Sequence, residues 1–154
     1  MLPELKLAGA CAADEAVGAL AWSPDSGGLL ISPLEGDFLL LRPDKKRPER
    51  RWKGHGFGNG SGCFFGDRKV ALPSHDGVLR IFSTDSAEPV RELKLGQGMI
   101  EKAAASSDGE RLAAACGKIL HVFDSAFHKP TELPAAKKSV CDFAWHPSDS
   151  DYIA

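Results

Sequence analysis

The sequence predicts an all-β fold assembled from repeated units of about 41 residues, and three observations carry that prediction. Sixteen glycines and ten prolines are spread over 154 residues, so long helices are repeatedly interrupted and short strands joined by turns are favoured. The pentapeptide AWSPD at 21–25 returns as AWHPS at 144–148, which places Trp22 and Trp145 123 residues apart, three steps of 41. Leu41, Phe82 and Phe123 close three apolar runs, DFLLL, VLRIF and ILHVF, with the same step. A looser series precedes each new start: ELKL at 4–7, RWKG at 51–54, ELKL at 92–95 and TELP at 131–134.

Each period repeats one order: strand, polar turn, strand, Gly-containing tight turn, strand, variable charged loop, short fourth strand. The first unit, 17–57, places strands at 17–22, 29–32, 38–41 and near 51–53, with SPDSGG and LEGD as turns. In the second, 58–98, strands are expected near 62–65, at 69–72, at 78–82 and at 90–95. Its SHDG turn at 74–77 holds an Asp-Gly pair whose glycine accepts positive φ, a strong hairpin signal. The third, 99–139, repeats the plan at 100–105, 111–115, 119–123 and 131–133, with SSDG in its first turn. A fourth starts at Val140 and reaches Ala154 inside its second strand, while residues 1–16 form a lead-in.

The runs VGALAW, VLRIF and VCDFAW mix β-branched, aromatic and aliphatic residues with incomplete alternation, as strands covered on both faces require. A unit of about 41 residues cannot enclose a core alone, so the units must stack. Four-stranded units stacking face to face around an axis make a β-propeller, here a partial and open one.

SPDSG at 23–27, GH at Gly54 and His55, HDG at 75–77, SSDG at 106–109 and FD at Phe123 and Asp124 share one register. In that register nearly the whole chain resembles the WD-repeat propeller family, whose unit runs about 40 to 45 residues with a GH near its start and a WD near its end. It departs from the family in having no WD dipeptide, that position reading Leu41-Arg42, Phe82-Ser83 and Phe123-Asp124. The resemblance implies a buried polar set in each unit, for which the second unit supplies His55 to brace Asp76 but offers Leu72 and Phe82 at the other two positions. Apolar packing is therefore expected to dominate stability. Family rings close with about seven units, and this chain holds roughly 3.8. The resemblance implies that ELKL at 4–7 is a closure-type strand and that the chain is the N-terminal piece of a longer protein. The alternative is a half-propeller pairing with itself or another chain.

Composition narrows the chemistry. Nineteen Lys and Arg against 21 Asp and Glu leave a net charge of −2, so no global positive field exists to hold a phosphate backbone. Cys11, Cys63, Cys116 and Cys141 stand far apart without a CxxC pair, which fits reduced thiols in a cytosol-like compartment, nuclear residence being the alternative. The N-terminus lacks the order of a signal peptide, and the longest apolar runs fall far short of the roughly 18 residues that would cross a bilayer. His55, His75, His121, His128 and His146 show no HxxxH or HxH spacing, so no metal site is expected, and His121 on its strand should be a satisfied histidine. GNGSGC at 58–63 is not a nucleophile elbow, and GFGNGSG lacks the Lys and the helix of a phosphate-binding loop. It reads as a flexible inter-strand turn, and neither catalytic residues nor a cofactor are expected.

One local anomaly remains, the stretch RPDKKRPERRWK at 42–53, where seven cations face two carboxylates for a net +5. Pro43 and Pro48 make it a loop between third and fourth strands, able to contact RNA, acidic protein or anionic lipid, or simply a solvated guard of the sheet edge. Lys137 and Lys138 echo it faintly in the third unit. The candidate partner contacts are Lys45, Lys46, Arg47, Arg50 and Arg51 in this loop, with His55, Phe57 and His75 near turns at the opposite ends of the strands. Trp22 and Trp145, a whole number of units apart on first strands, are expected in the core, and Phe82, Phe123 and Asp124 are structural. The leading expectation is a non-enzymatic scaffold for protein or peptide partners. The alternatives are an RNA- or ribosome-associated protein using the basic loop, and an accessory propeller of a larger enzyme.

Overall fold

The computed structural model describes residues 13–45, 47–54, 58–133 and 137–154. Among them there is no helix; twelve strands form three antiparallel four-stranded sheets. The first sheet orders β1 (Val17–Trp22), β2 (Leu29–Pro33), β3 (Phe38–Leu41) and β4 (Arg50–Trp52). β5 (Cys63–Phe65), β6 (Lys69–Leu72), β7 (Val78–Ser83) and β8 (Pro89–Lys94) make the second. The third runs β9 (Ile100–Ala105), β10 (Arg111–Cys116), β11 (Ile119–Asp124) and β12 (Thr131–Leu133). Each sheet is a simple meander, and the arrangement is an open, partial β-propeller.

Turn chemistry sets the meander. Ser23, Ser74 and Ser106 each donate a hydroxyl to the carboxylate two residues on, Asp25, Asp76 and Asp108. Those carboxylates in turn accept the N–H groups of Gly27, Val78 and Glu110, so each turn closes on its own side chains. Gly77 completes the β6–β7 turn at φ 74°, a conformation that an L side chain resists.

Second strands are buried along most of their length, and neighbouring sheets lie face to face. Leu30, Phe38, Leu40 and Trp52 of the first sheet pack on Phe64, Val70, Leu72 and Phe82 of the second. The opposite face of the second, with Phe65, Ala71, Leu79 and Ile81, meets Ile100, Ala103, Leu112, Ala114, Cys116 and Phe123 of the third. Beyond the third sheet, Phe143 and the half-buried Trp145 and Ile153 settle on Ala113 and Ala115. Residues 140–154 thus begin a fourth layer, but in place of a second strand they make one bridge, Trp145 to Ile153.

Two expectations are corrected. The glycine-rich stretch is not a flexible turn over its described part, 58–62. Asn59 is buried, donating its side-chain amide to the carbonyls of Pro33 and Gly36, and Ser61 pairs in parallel with Lys102 of the third sheet. A Cβ on Gly60 would overlap the Ile100 carbonyl, so glycine is there because two backbones touch. Trp22 is not a core residue: 58% of it is exposed. Ala21 points to the second sheet, so Trp22, next along an alternating strand, points to the other side, where no described sheet lies.

Candidate interaction surface

The strands position two rims of loops. One rim gathers the β1–β2 turn, the basic β3–β4 loop, the β5–β6 turn and the β7–β8 loop; where the first two sheets meet there, Ser23, Asp25, Arg42, Asp67, Arg68 and Thr84 line a cleft of about 320 Å³. The other rim gathers 34–37, the β4–β5 connection and the β6–β7 turn, tied by Asn59 N–H to Leu34 O at 2.9 Å and by the Asn59–Ser74 bridge.

Most of the basic loop is engaged within the fold. Arg42 and Lys45 both hold the Glu49 carboxylate, at 3.3 and 2.8 Å, and the Lys45 hydrogen bond chiefly keeps that carboxyl below its ordinary pKa. Arg42 also donates to Gly27 O at 2.9 Å. Arg50 reaches the second sheet, donating to the carbonyls of Thr84 and Asp85 at 3.3 and 2.9 Å, and Trp52 beside it gives its indole N–H to Ser86 O at 2.8 Å. Arg51 lies 3.9 Å from Asp14. Arg47 is exposed and, among the described residues, has no ion-pair partner. Lys46, His55 and Phe57 lie outside the described residues, as does the ELKL segment at 4–7. His75 is exposed on the other rim, near the 54%-exposed Leu34 through the β4–β5 crossing. The structure therefore does not unite the candidates: Lys45, Arg47, Arg50 and Arg51 belong to one rim or its strand, His75 to the other.

A polar cluster that the sequence reading did not anticipate supports the second rim. Arg80 on β7 donates to Asp76 at 2.8 Å, to Glu92 at 2.8 Å and to the Ser74 hydroxyl at 3.1 Å. Partial burial works to raise the Asp76 pKa, but the hydrogen bonds from Arg80 and Ser74 outweigh it and hold the carboxyl well below the carboxylate range. Phe82, sought there as the family's aromatic, is instead buried against Trp52. The signal that could have found the cluster is the four-residue step from Asp76 in the β6–β7 turn to Arg80 on β7, whose cross-strand partner on β8 is Glu92.

Other candidates fall as follows. The Asp108 carboxyl is held to about 2, first by the Ser106 hydroxyl. Phe123 is buried, and Asp124 is exposed and bonded to His128 at 2.6 Å. Trp145 donates its indole N–H to Ala104 O at 3.0 Å. His121 is not the satisfied histidine expected: it is 3% exposed and neither ring nitrogen has a hydrogen-bond partner. Cys63, Cys116 and Cys141 are free thiols, with burial pushing Cys63 up to about 12, far from a nucleophile's range.

Neither a family model nor a curated protein matches the sequence. Solved structures do: 977 chains resemble it, so the fold is widely shared and selects no function by itself. One, from the crystal structure titled for the mitotic checkpoint complex, is similar with a TM-score of 0.74 at 19% identity. The match covers 85% of this chain but only 43% of that one, so this chain spans under half the length of the protein it resembles.

Proposed function

We propose that the chain is a non-enzymatic interaction module whose loop rims meet a protein or peptide partner. The observation that carries the reading is the way each rim is fixed. The Ser-x-Asp turns close on themselves, Asn59 clamps 33–36, and Arg50 and Trp52 bolt the first sheet to the β7–β8 loop. A partner therefore meets preorganised loops and loses less ordering entropy on binding. The exposed Leu34 and His75 on one rim, with their apolar and polar tips, suit a peptide better than Arg47 alone suits a nucleic acid. Similarity to a chain crystallised in a protein complex supports the same reading. It extends to a cytoplasmic or nuclear setting and to the chain's being part of a larger ring.

The test is selection of binders from a random displayed-peptide library, followed by calorimetry with Leu34→Arg, His75→Ala and Arg47→Glu. Binding through the second rim weakens about tenfold or more in Leu34→Arg and is untouched by Arg47→Glu. Selected peptides indifferent to both Leu34 and His75 would refute the assignment. A steep loss of affinity with salt, removed by Arg47→Glu, would favour the electrostatic loop instead.

A further inference from the structure

Residues 59–61 tie three sheets together. The backbone N–H of Asn59 donates to Leu34 O at 2.9 Å, and its side-chain amide donates to Pro33 O at 3.1 Å and Gly36 O at 3.0 Å, at the end of β2 and in the turn after it. Its backbone bridges Ser74 beside the β6–β7 turn of the second sheet. Two residues on, Ser61 N–H donates to Glu101 O at 2.9 Å and Ala103 N–H donates to Ser61 O at 2.8 Å, both on β9 of the third. Between these ties stands Gly60, against the Ile100 carbonyl.

Asn59 is the only asparagine in the chain, and glycine follows it. That order carries its own chemistry, because a residue without a Cβ leaves its amide nitrogen open to attack the preceding side-chain carbonyl. We propose that Asn59-Gly60 is a self-modification site that the three sheets hold shut and that converts once the strap at 59–61 opens. The Gly60 nitrogen gives up its proton and bonds to Asn59 Cγ; the Cγ–Nδ2 bond breaks, and the departing nitrogen takes up a proton and leaves as ammonia. Water then opens the resulting cyclic imide at either carbonyl, leaving aspartate or isoaspartate at position 59. In the closed fold the reacting groups are held apart. Nδ2 is drawn toward the first sheet while Gly60 lies against the third, and at 6% exposure Asn59 is withdrawn from the water that the second step needs. Ring closure therefore requires the strap to open locally first. The product does not revert, since the ammonia is lost to solvent. An amide offers its N–H groups to the Pro33 and Gly36 carbonyls, whereas a carboxylate has only acceptors, so the two carbonyls lose their donors and face a negative charge. One opening is thereby made permanent, and the β2–β3 turn is released. The inference does not rest on the loop-rim reading, since no partner takes part in the reaction.

The experiment ages the full chain at pH 8.5 and 37 °C across a series of urea concentrations and follows the tryptic peptide 54–68 by mass spectrometry. The mass gain of amide loss in that peptide belongs to Asn59, because Asp-Gly pairs such as Asp76-Gly77 isomerise without it and Gln97 lies in another peptide. Conversion should be at least tenfold slower in buffer than in the unfolded chain, and between those limits it should follow the opening that hydrogen exchange reports at the Asn59 and Ser61 amides. Conversion as fast in buffer as in full denaturant, or indifferent to the protection of those amides, overturns the proposal. Asn59→Asp carries the product's charge, and its amides at 59 and 61 should exchange at least tenfold faster than in the unaltered chain. Unchanged protection there overturns the permanent release. If Asn59→Asp does not fold, the ageing series alone decides.

Discussion

The two inter-sheet interfaces do the same geometric work with different mixtures of side chains. Between the first and second sheets the contact is made of bulky groups, Phe38, Trp52, Phe64 and Phe82, with Trp52 and Phe82 rings 5.9 Å apart. Between the second and third it interleaves small residues, Ala71, Ala103, Ala114 and Cys116, with larger ones, Leu79, Ile81, Ile100, Leu112, Phe65, Phe123 and Phe127. Each interface is also pinned by an arginine of the outer strand. Arg50 and Arg91 occupy matching columns, paired with Leu40 and Ile81, and both donate to loop carbonyls of the following sheet. Arg91 adds its guanidinium 5.6 Å over the Phe127 ring. The lesson is that sheet spacing here is held by backbone-directed pins at the rim and by glycine contacts at the hub, which leaves the side chains between free to differ.

The comparison is broken most severely by deletion in the bulky interface. Trp52→Ala should cost about 3–5 kcal/mol, because a fully buried ring leaves a cavity and the Ser86 carbonyl loses its donor. Denaturant melts give the number, and a loss under about 1 kcal/mol would mean that the interface collapses around the gap. At the small residues of the second interface the sensitive direction reverses. Ala114→Leu, at a site with no exposed surface, should cost about 1–3 kcal/mol by overpacking against the second sheet. A neutral result by the same melts would show slack where the structure shows contact. Smaller still is Arg91→Ala, expected to lose about 1 kcal/mol, since its hydrogen bond to Phe127 O lies at a partly exposed rim. Arg91→Lys should restore little of it, because an ammonium cannot both stack on the ring and keep the planar donor geometry.

What could be read from residues alone was what depends on period. Strand positions follow from apolar runs and turn residues, and they differ from the structure by a residue at ends such as Arg50, Pro89 and Ser83, where pairing with a neighbour extends or shifts the ladder. Facing could not be read the same way. Trp22 and Trp145 share a motif, and what distinguishes them is whether a sheet precedes them, which no local pattern encodes. The glycine-rich 58–62 misled for a related reason: glycine marks both loose turns and close backbone contact, and only the position of Ile100 in space decides between them. The basic loop was legible as charge but not as commitment, because the carbonyls that engage Arg50 lie 34 and 35 residues away.

His121 offers the finest test of the second interface, and its sign can be worked out. On β11 it pairs with Ala114 of β10 and Glu132 of β12, and Ala114 belongs to the face against the second sheet. Burial without a hydrogen-bond partner lowers its pKa below 6.5, opposed only by the Glu132 carboxylate at 3.8 Å, a group that is itself mostly in water. The equivalent column of the second sheet holds the Arg80–Glu92 pair at 2.8 Å, so the position accepts a cation when the geometry is right, and His121 stops short of it. The unfolded chain takes up a proton near 6.5, before the folded one does, so this residue removes stability as the pH falls below that value. Denaturant melts at pH 7.5 and 5.5 should show the loss, and His121→Leu should reduce it while leaving stability at pH 7.5 equal or higher, because a buried imidazole without partners is replaced by an apolar group. The difference between the two proteins, not the slope of either, isolates His121 from the exposed histidines. An identical pH dependence in both would mean that the protonated ring finds a hydrogen-bond acceptor in solution and that the second interface is wetter at its outer edge than its packing indicates.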